Sequence, residues 1–195
     1  MIIGLSGYAQ SGKDSIGAIL VKNYGFTRCA FADALKEMAY QLNPIVVTSI
    51  DENIPLGVDT NLYVKNTRLQ DVVDNNGWED AKKLPEIRRL LQVLGTEAGR
   101  KILGENIWVD TVLNKVKDKN VVITDCRFPN EAKALKNSGG FVVRVERPGM
   151  AAINNHLSET SLDGWPFDLI VLNGGTLESL NSLVKNLYID LKNID

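Results

Sequence analysis

Histidine and cysteine are almost absent from this chain, with one His and two Cys among 195 residues. Cys29 and Cys126 stand far apart and show no metal-ligand spacing. They are therefore read as reduced, buried thiols, and the expected setting is cytoplasmic. The lone His156 lies on an expected loop, where a structural role and a catalytic one are the two alternatives. Long hydrophobic runs are also lacking; none approaches the ~20 residues that cross a bilayer. Residues 1–6 lead straight into a loop, so no signal peptide and no membrane association are expected. Charge of one sign is missing as well: a net charge of −2 excludes a global basic field for holding nucleic acid. A phosphate-bearing substrate would then have to be gripped by local arginines. Repeats and low-complexity tracts are absent. What remains, 44% hydrophobic and 24% charged residues, suits one ordinary globular domain with a substantial core.

Short β-branched apolar runs recur at residues 2–5, 27–31, 121–124, 141–146 and 168–172. Segments of helical periodicity separate most of them, which predicts an α/β domain with a parallel sheet covered on both faces. A first helix is expected over residues 11–22 with Gly25 as its C-terminal cap. Asp33 is expected to cap a second helix reaching Tyr40. Pro85 opens a longer amphipathic helix through Ile87, Leu90, Leu91, Leu94 and Ala98. Further helices are expected at about 106–117, at 129–137, and along Leu177, Leu180, Val184, Leu187 and Leu191. Residues 44–84 fit this alternation poorly. They read as an insertion with a small hairpin (45–49 and 62–65) and a helix from Thr67, placed where such excursions build substrate pockets.

The chemistry concentrates in GYAQSGKDS, residues 7–15. An apolar strand, a Gly-rich turn and a helix in that order aim backbone N–H groups and a helix N-terminus at an anion. Gly7, Ser11 and Gly12 shape the turn, and Lys13 supplies a cation for the β- and γ-phosphates of a nucleoside triphosphate. Asp14 follows the lysine directly, so the hydroxyl arrives one place later, at Ser15. The strand over 121–124 ends in Asp125, which either caps the next segment of chain or holds Mg²⁺ and orients the reacting group. Arg127 is read as a bidentate phosphate ligand, or else as the partner of Glu131. Of Arg88 and Arg89, about 100° apart on a helix, Arg88 is preferred for the pocket, against an ion pair with Glu86 or Asp80. Gly95 and Thr96 follow on the same segment. Trp108 is either core or a platform for a base. Arg144 is read as a strand-end or solvent-facing charge. Arg147 opens a loop over 147–162 that could fold onto the transferring phosphate. Asn173 and Gly174 form a turn whose backbone could edge an adenine, with Thr176 capping the last helix.

These pieces resemble the bacteriophage deoxynucleoside monophosphate kinases: GYAQSGKDS, RRLLQVLGTE (88–97) with Trp108, DCRFPNE (125–131), and RPG (147–149) followed by His156 and Glu159. The tail DLIVLNGGTLESL (168–180) also resembles dephospho-coenzyme A kinase, which stands as the alternative function. The resemblance implies a P-loop kinase fold, a three-layer α/β/α domain whose five parallel strands run in the order 2-3-1-4-5. It implies transfer of the γ-phosphoryl of ATP, with Mg²⁺, to a deoxynucleoside monophosphate. It further implies Gly12, Lys13, Asp14 and Ser15 at the ATP phosphates, with Asp14 and Ser15 at the metal. The acceptor would meet Asp33, Lys36, Arg68, Arg88, Gly95, Thr96, Trp108, Asp125 and Arg127, and the lid would bring Arg147. A monomer or homodimer with no stable nucleic-acid partner is expected.

Overall fold

A computed structural model describes residues 1–50, 64–116, 119–150 and 160–194. The chain divides into two compact units, Met1–Ala32 with Trp108–Asp195, and Asp33–Ile107. The second unit is wider than the 44–84 excursion that composition picks out, because it takes in most of the second helix and all of the segment that Pro85 opens.

The first unit is built on β1 (Ile2–Ser6), β2 (Thr27–Cys29), β5 (Val121–Ile123), β6 (Phe141–Glu146) and β7 (Leu169–Leu172). They form one parallel sheet in the order β2-β5-β1-β6-β7. Counted among these five strands alone, that is the expected 2-3-1-4-5. Side chains alternate between the faces of a strand, and both faces here are covered. Ile3, Leu5, Val122, Val143 and Val145 pack against α1 (Lys13–Tyr24) and α7 (Leu177–Ile194) through Ile16, Leu20, Leu180, Val184, Leu187 and Leu191. Val121, Ile123 and Val142 pack against α5 (Ile107–Lys115) and α6 (Pro129–Asn137) through Val109, Val112, Ala132 and Leu135. Leu177, assigned to the inner stripe of α7, is instead 76% exposed, one turn before the buried run begins.

Several boundaries move for local reasons. α1 starts at Lys13 rather than residue 11, because the loop before it holds left-handed backbone up to Gly12. It ends on Gly25, also left-handed, as expected. The second strand stops at Cys29, and α2 (Phe31–Leu42) begins two residues before Asp33. Asp33 therefore sits inside the first turn and does not cap it. Asp168 is not strand; its carboxylate accepts the Val142 N–H (2.7 Å) and pairs with Lys136 (2.5 Å), pinning the start of β7.

The second unit holds β3 (Ile45–Ile50) and β4 (Val64–Arg68), an antiparallel pair, followed by α3 (Leu69–Ala81) and α4 (Pro85–Gln92). Ala39, Val46, Leu69, Ala81 and Ile87 form its core, with Leu90, Leu91 and Leu94 against them. A hairpin is present, but its second strand runs on to Arg68, past the expected 62–65 of which 62–63 lie outside the described residues, so Thr67 is strand and the helix expected from it starts at Leu69. The Pro85 helix is as expected at its start, but it does not stay α. From Val93 to Leu103 it widens into a π-helix whose buried positions are Gly95 and Gly99.

Candidate phosphate-binding site

The loop between β1 and α1 reverses direction through three residues of positive φ, Gly7 (144°), Gln10 (62°) and Gly12 (102°). At two of these, only glycine fits. A Cβ on Gly7 would collide with the Val145 carbonyl, and one on Gly12 with the Asn173 amide. Gly12 is the N-cap of α1 and no side chain caps that end. The first N–H groups of the helix therefore face outward with the positive end of its dipole, ready for an anion.

Lys13 is buried, and its Nζ donates to the carbonyls of Gly7 (2.8 Å) and Tyr8 (2.6 Å) and to Ser11 Oγ (3.4 Å). Asn173 also acts through its side chain, which the sequence does not predict. Its side chain is buried and its Nδ2 donates to the Ser11 carbonyl at 2.9 Å, bracing the loop from the end of β7. Asp14 and Ser15 stand exposed on the first turn of α1, and Gly174 is exposed beside Asn173. No group of three or more His, Cys, Asp or Glu among the described residues could hold a metal unaided. Two hard oxygen donors on an open helix turn do fit Mg²⁺, which keeps waters and takes most of its other ligands from phosphates.

Asp125 turns out to be a cap. Its two carboxylate oxygens accept the N–H groups of Phe31 (2.7 Å) and Ala32 (3.0 Å), so it holds the start of α2 across 94 positions of sequence. Arg127 is exposed two residues on. Glu131 is buried, and its Oε2 accepts the N–H groups of Arg127 (2.7 Å) and Phe128 (3.0 Å), which organises the entry to α6. Between them the Cys126 thiol is pushed well up by burial, with Glu131 and Asp125 adding to the effect. It stays protonated and is no nucleophile. Cys29 is half-buried, and neither cysteine is in a disulfide.

Arg144 overturns its reading as a solvent-facing charge. It is 5% exposed, its guanidinium lies 4.6 Å from the Tyr8 ring centroid and 5.6 Å from that of Phe167, and Nη2 pairs with Asp163 at 2.9 Å. A signal for this was present: in a parallel strand covered on both faces, a charge amid valines has nowhere to go but inward. Trp108 is likewise 5% exposed, at the start of α5. Arg147 is exposed beyond β6. His156, Glu159 and most of the 147–162 loop lie outside the described residues.

In the second unit the basic residues are sorted by partner. Arg89 takes the Glu86 carboxylate with Nε and Nη2 (2.8 and 2.6 Å), which lowers the Glu86 pKa and raises its own. Arg88 is exposed and has no ion-pair partner among the described residues. Arg68, exposed at the end of β4, donates from Nη1 to the Asn43 carbonyl (2.8 Å). Lys36 is half-buried with Nζ 6.0 Å from the Trp78 ring centroid. Asp33 is half-buried, Gly95 buried, and Thr96 exposed on the π-helix.

Residues 49–184 match the family model for deoxynucleotide monophosphate kinase. A protein of Acanthamoeba polyphaga mimivirus is 28% identical over 199 residues, covering 94% of each chain. The deoxynucleotide monophosphate kinase of Enterobacteria phage T4 is 24% identical over 95% of this chain and 97% of its own. The deoxynucleoside-5′-monophosphate kinase of Escherichia phage T5 is 26% identical over 71% of this chain and 72% of its own. The chain belongs to the deoxynucleotide monophosphate kinase family.

Proposed function

We propose that this protein transfers the γ-phosphoryl group of ATP to a deoxynucleoside 5′-monophosphate, giving ADP and the diphosphate, in the cytoplasm of the cell where it is made. The observation that carries this is a buried lysine at the uncapped start of α1, on a loop where glycine is obligatory twice, in a chain of this family.

Phosphoryl transfer asks the protein for alignment and charge neutralisation more than for covalent chemistry. The loop amides and the N-terminus of α1 would hold the ATP phosphates. Lys13 would leave the Gly7 and Tyr8 carbonyls for the β- and γ-oxygens. Ser15, and Asp14 through a water, would hold Mg²⁺, which supplies charge neutralisation across those phosphates. Asn173 would keep the Ser11–Gly12 peptide in place, with Gly174 beside the base. Arg127 would pair with the acceptor 5′-phosphate, and Asp125 would fix the chain that borders it. Arg147 would close over the transferring group. Asp33, Lys36, Arg68, Arg88, Gly95 and Thr96 in the second unit, and Trp108 in the first, are the candidates for acceptor recognition. An acceptor monophosphate has its second pKa at about 6, so it arrives ionised and needs no strong base.

The test is ADP release from Mg-ATP with dAMP, dGMP, dCMP, dTMP, UMP and dephospho-coenzyme A offered separately. Turnover that depends on a deoxynucleotide supports the proposal. Release indifferent to every acceptor, or seen only with dephospho-coenzyme A, refutes it.

A further inference from the structure

A buried guanidinium is an expensive occupant for the middle of a valine strand. Val142, two residues before Arg144 and on the same face of β6, shows that an apolar side chain fits this layer. Removing an ion from water carries a penalty of several kcal/mol even after relaxation, so the groups around Arg144 need to be specific ones. They are: one carboxylate, from Asp163, and two aromatic rings, from Tyr8 and Phe167.

Tyr8 is the second residue of the phosphate loop. Its hydroxyl reaches the same carboxylate that holds Arg144, at 3.1 Å from Oδ2 and 3.3 Å from Oδ1 of Asp163. Arg144 thus fixes the tyrosine ring by stacking, and Asp163 fixes its tip. Asp163 is in turn anchored by Leu162, 2% exposed in the core between the sheet, α5 and α6. The Tyr8 carbonyl accepts both from Lys13 and from the Ser11 N–H (3.2 Å). In β6 Arg144 is paired with Ser6, the last residue before the loop. Two connections of this cluster, through Tyr8 and through Ser6, therefore lead into the backbone that would wrap the donor phosphates.

We infer that Arg144 is a positioning residue for the nucleoside triphosphate: with Asp163 it clamps Tyr8, and Tyr8 sets the curvature of the loop that receives the β- and γ-phosphates. The inference rests on the phosphate-loop assignment above. Its signature is selective, because the clamp touches the donor loop and not the groups assigned to the acceptor. Losing the clamp raises the KM for ATP and leaves the KM for the deoxynucleotide alone. A merely structural role would lower the amount of folded enzyme and change neither constant.

The experiment is steady-state kinetics on Tyr8→Phe, Tyr8→Leu, Arg144→Lys, Arg144→Leu and Asp163→Asn, with each substrate varied in turn and Tm recorded for each protein. Tyr8→Leu and Arg144→Leu are each expected to raise the KM for ATP about tenfold, the scale of a desolvated cation–π contact, and the double variant no further than either alone. Tyr8→Phe keeps the ring and should recover most of the affinity, while Arg144→Lys keeps the charge without the flat stack and should recover only part. Should Arg144→Leu fail to fold, Tyr8→Phe removes only the hydrogen bond to Asp163, whereas Asp163→Asn weakens that bond and the ion pair with Arg144 together; the effect of Tyr8→Phe on the KM for ATP should therefore not add to that of Asp163→Asn. Additive effects, equal changes in both KM values, or a fall in Tm with both constants unchanged would each overturn the inference. Lys13→Ala separates the two levels. Near-normal turnover in that variant defeats the phosphate-loop assignment itself, whereas an inactive Lys13→Ala beside normal clamp variants defeats the clamp alone.

Discussion

Single side chains in this protein divide into those proposed to meet substrate and those that hold the backbone around them. The proposed function puts Lys13 in the first group, and Lys13→Ala is expected to lower kcat at least about a hundredfold with an unchanged far-ultraviolet circular dichroism spectrum. Asp125 belongs to the second. Its removal leaves the Phe31 and Ala32 N–H groups without their acceptor, so Asp125→Ala should lose about 2 kcal/mol of stability, a fall of roughly 4–8 °C in Tm for a chain of this size. Asp125→Asn keeps an acceptor oxygen and should lose less; equal losses would contradict the cap. Cys126 gives a pH dependence. Its folded pKa lies above the ordinary thiol value of about 8.5, so the folded state holds the proton more tightly than the unfolded chain. That contribution is complete below the unfolded pKa and is lost as pH rises through the folded one. The urea midpoint should therefore decline on the alkaline side, and Cys126→Ala should flatten the decline. In native enzyme near pH 8, iodoacetamide should modify Cys29 before Cys126.

Among the elements, the strands and the helix faces were legible in the sequence, since each follows from alternation or from a 3.6-residue stripe. The order of the strands came from the resemblance and not from spacing. The misses share one cause, which is that a distant residue decided the local outcome. Asp33 has the chemistry of an N-cap, but Asp125, far away in sequence, caps α2. Arg144 has the chemistry of a surface charge, but two rings and a carboxylate from other segments enclose it. The π-helix was hidden differently: an α stripe and a π stripe start alike, and only Gly95 and Gly99 hint that the backbone widens to let another element approach. A Cβ on Gly95 would lie 3.0 Å from Leu35 Cδ2. Gly95→Ala should therefore be tolerated with a small shift of Leu35, while Gly95→Val should overpack and lose about 1–3 kcal/mol, read from urea midpoints. α4 offers the matched pair: Arg88→Ala should raise the acceptor KM about tenfold, the scale of one charge-assisted contact. Arg89→Ala, which breaks only the exposed pair with Glu86, should leave both KM values unchanged.

At the scale of the molecule, a ligand that binds only the folded state stabilises it by mass action. Mg-ATP at about a hundred times its Kd should contribute ~2.7 kcal/mol and raise Tm by roughly 5–10 °C, and Lys13→Ala should abolish that rise. The net charge of −2 predicts no retention of duplex DNA in a gel shift at physiological salt. No helix among the described residues is long and apolar enough to cross a membrane.

The internal grip on Lys13 bears on which anions the loop admits. With the Gly7 and Tyr8 carbonyls and the Ser11 hydroxyl already on the ammonium, an arriving anion competes against fixed dipoles of the loop and not only against mobile water. A chloride ion presents one small contact and cannot replace them all at once. A polyphosphate tail presents several oxygens along a line and can take over the lysine while its other oxygens seat on the helix amides. A loop that binds phosphate in this way would set a threshold on the number of oxygens delivered together, and abundant monovalent salt should leave ATP affinity much less affected than pyrophosphate does.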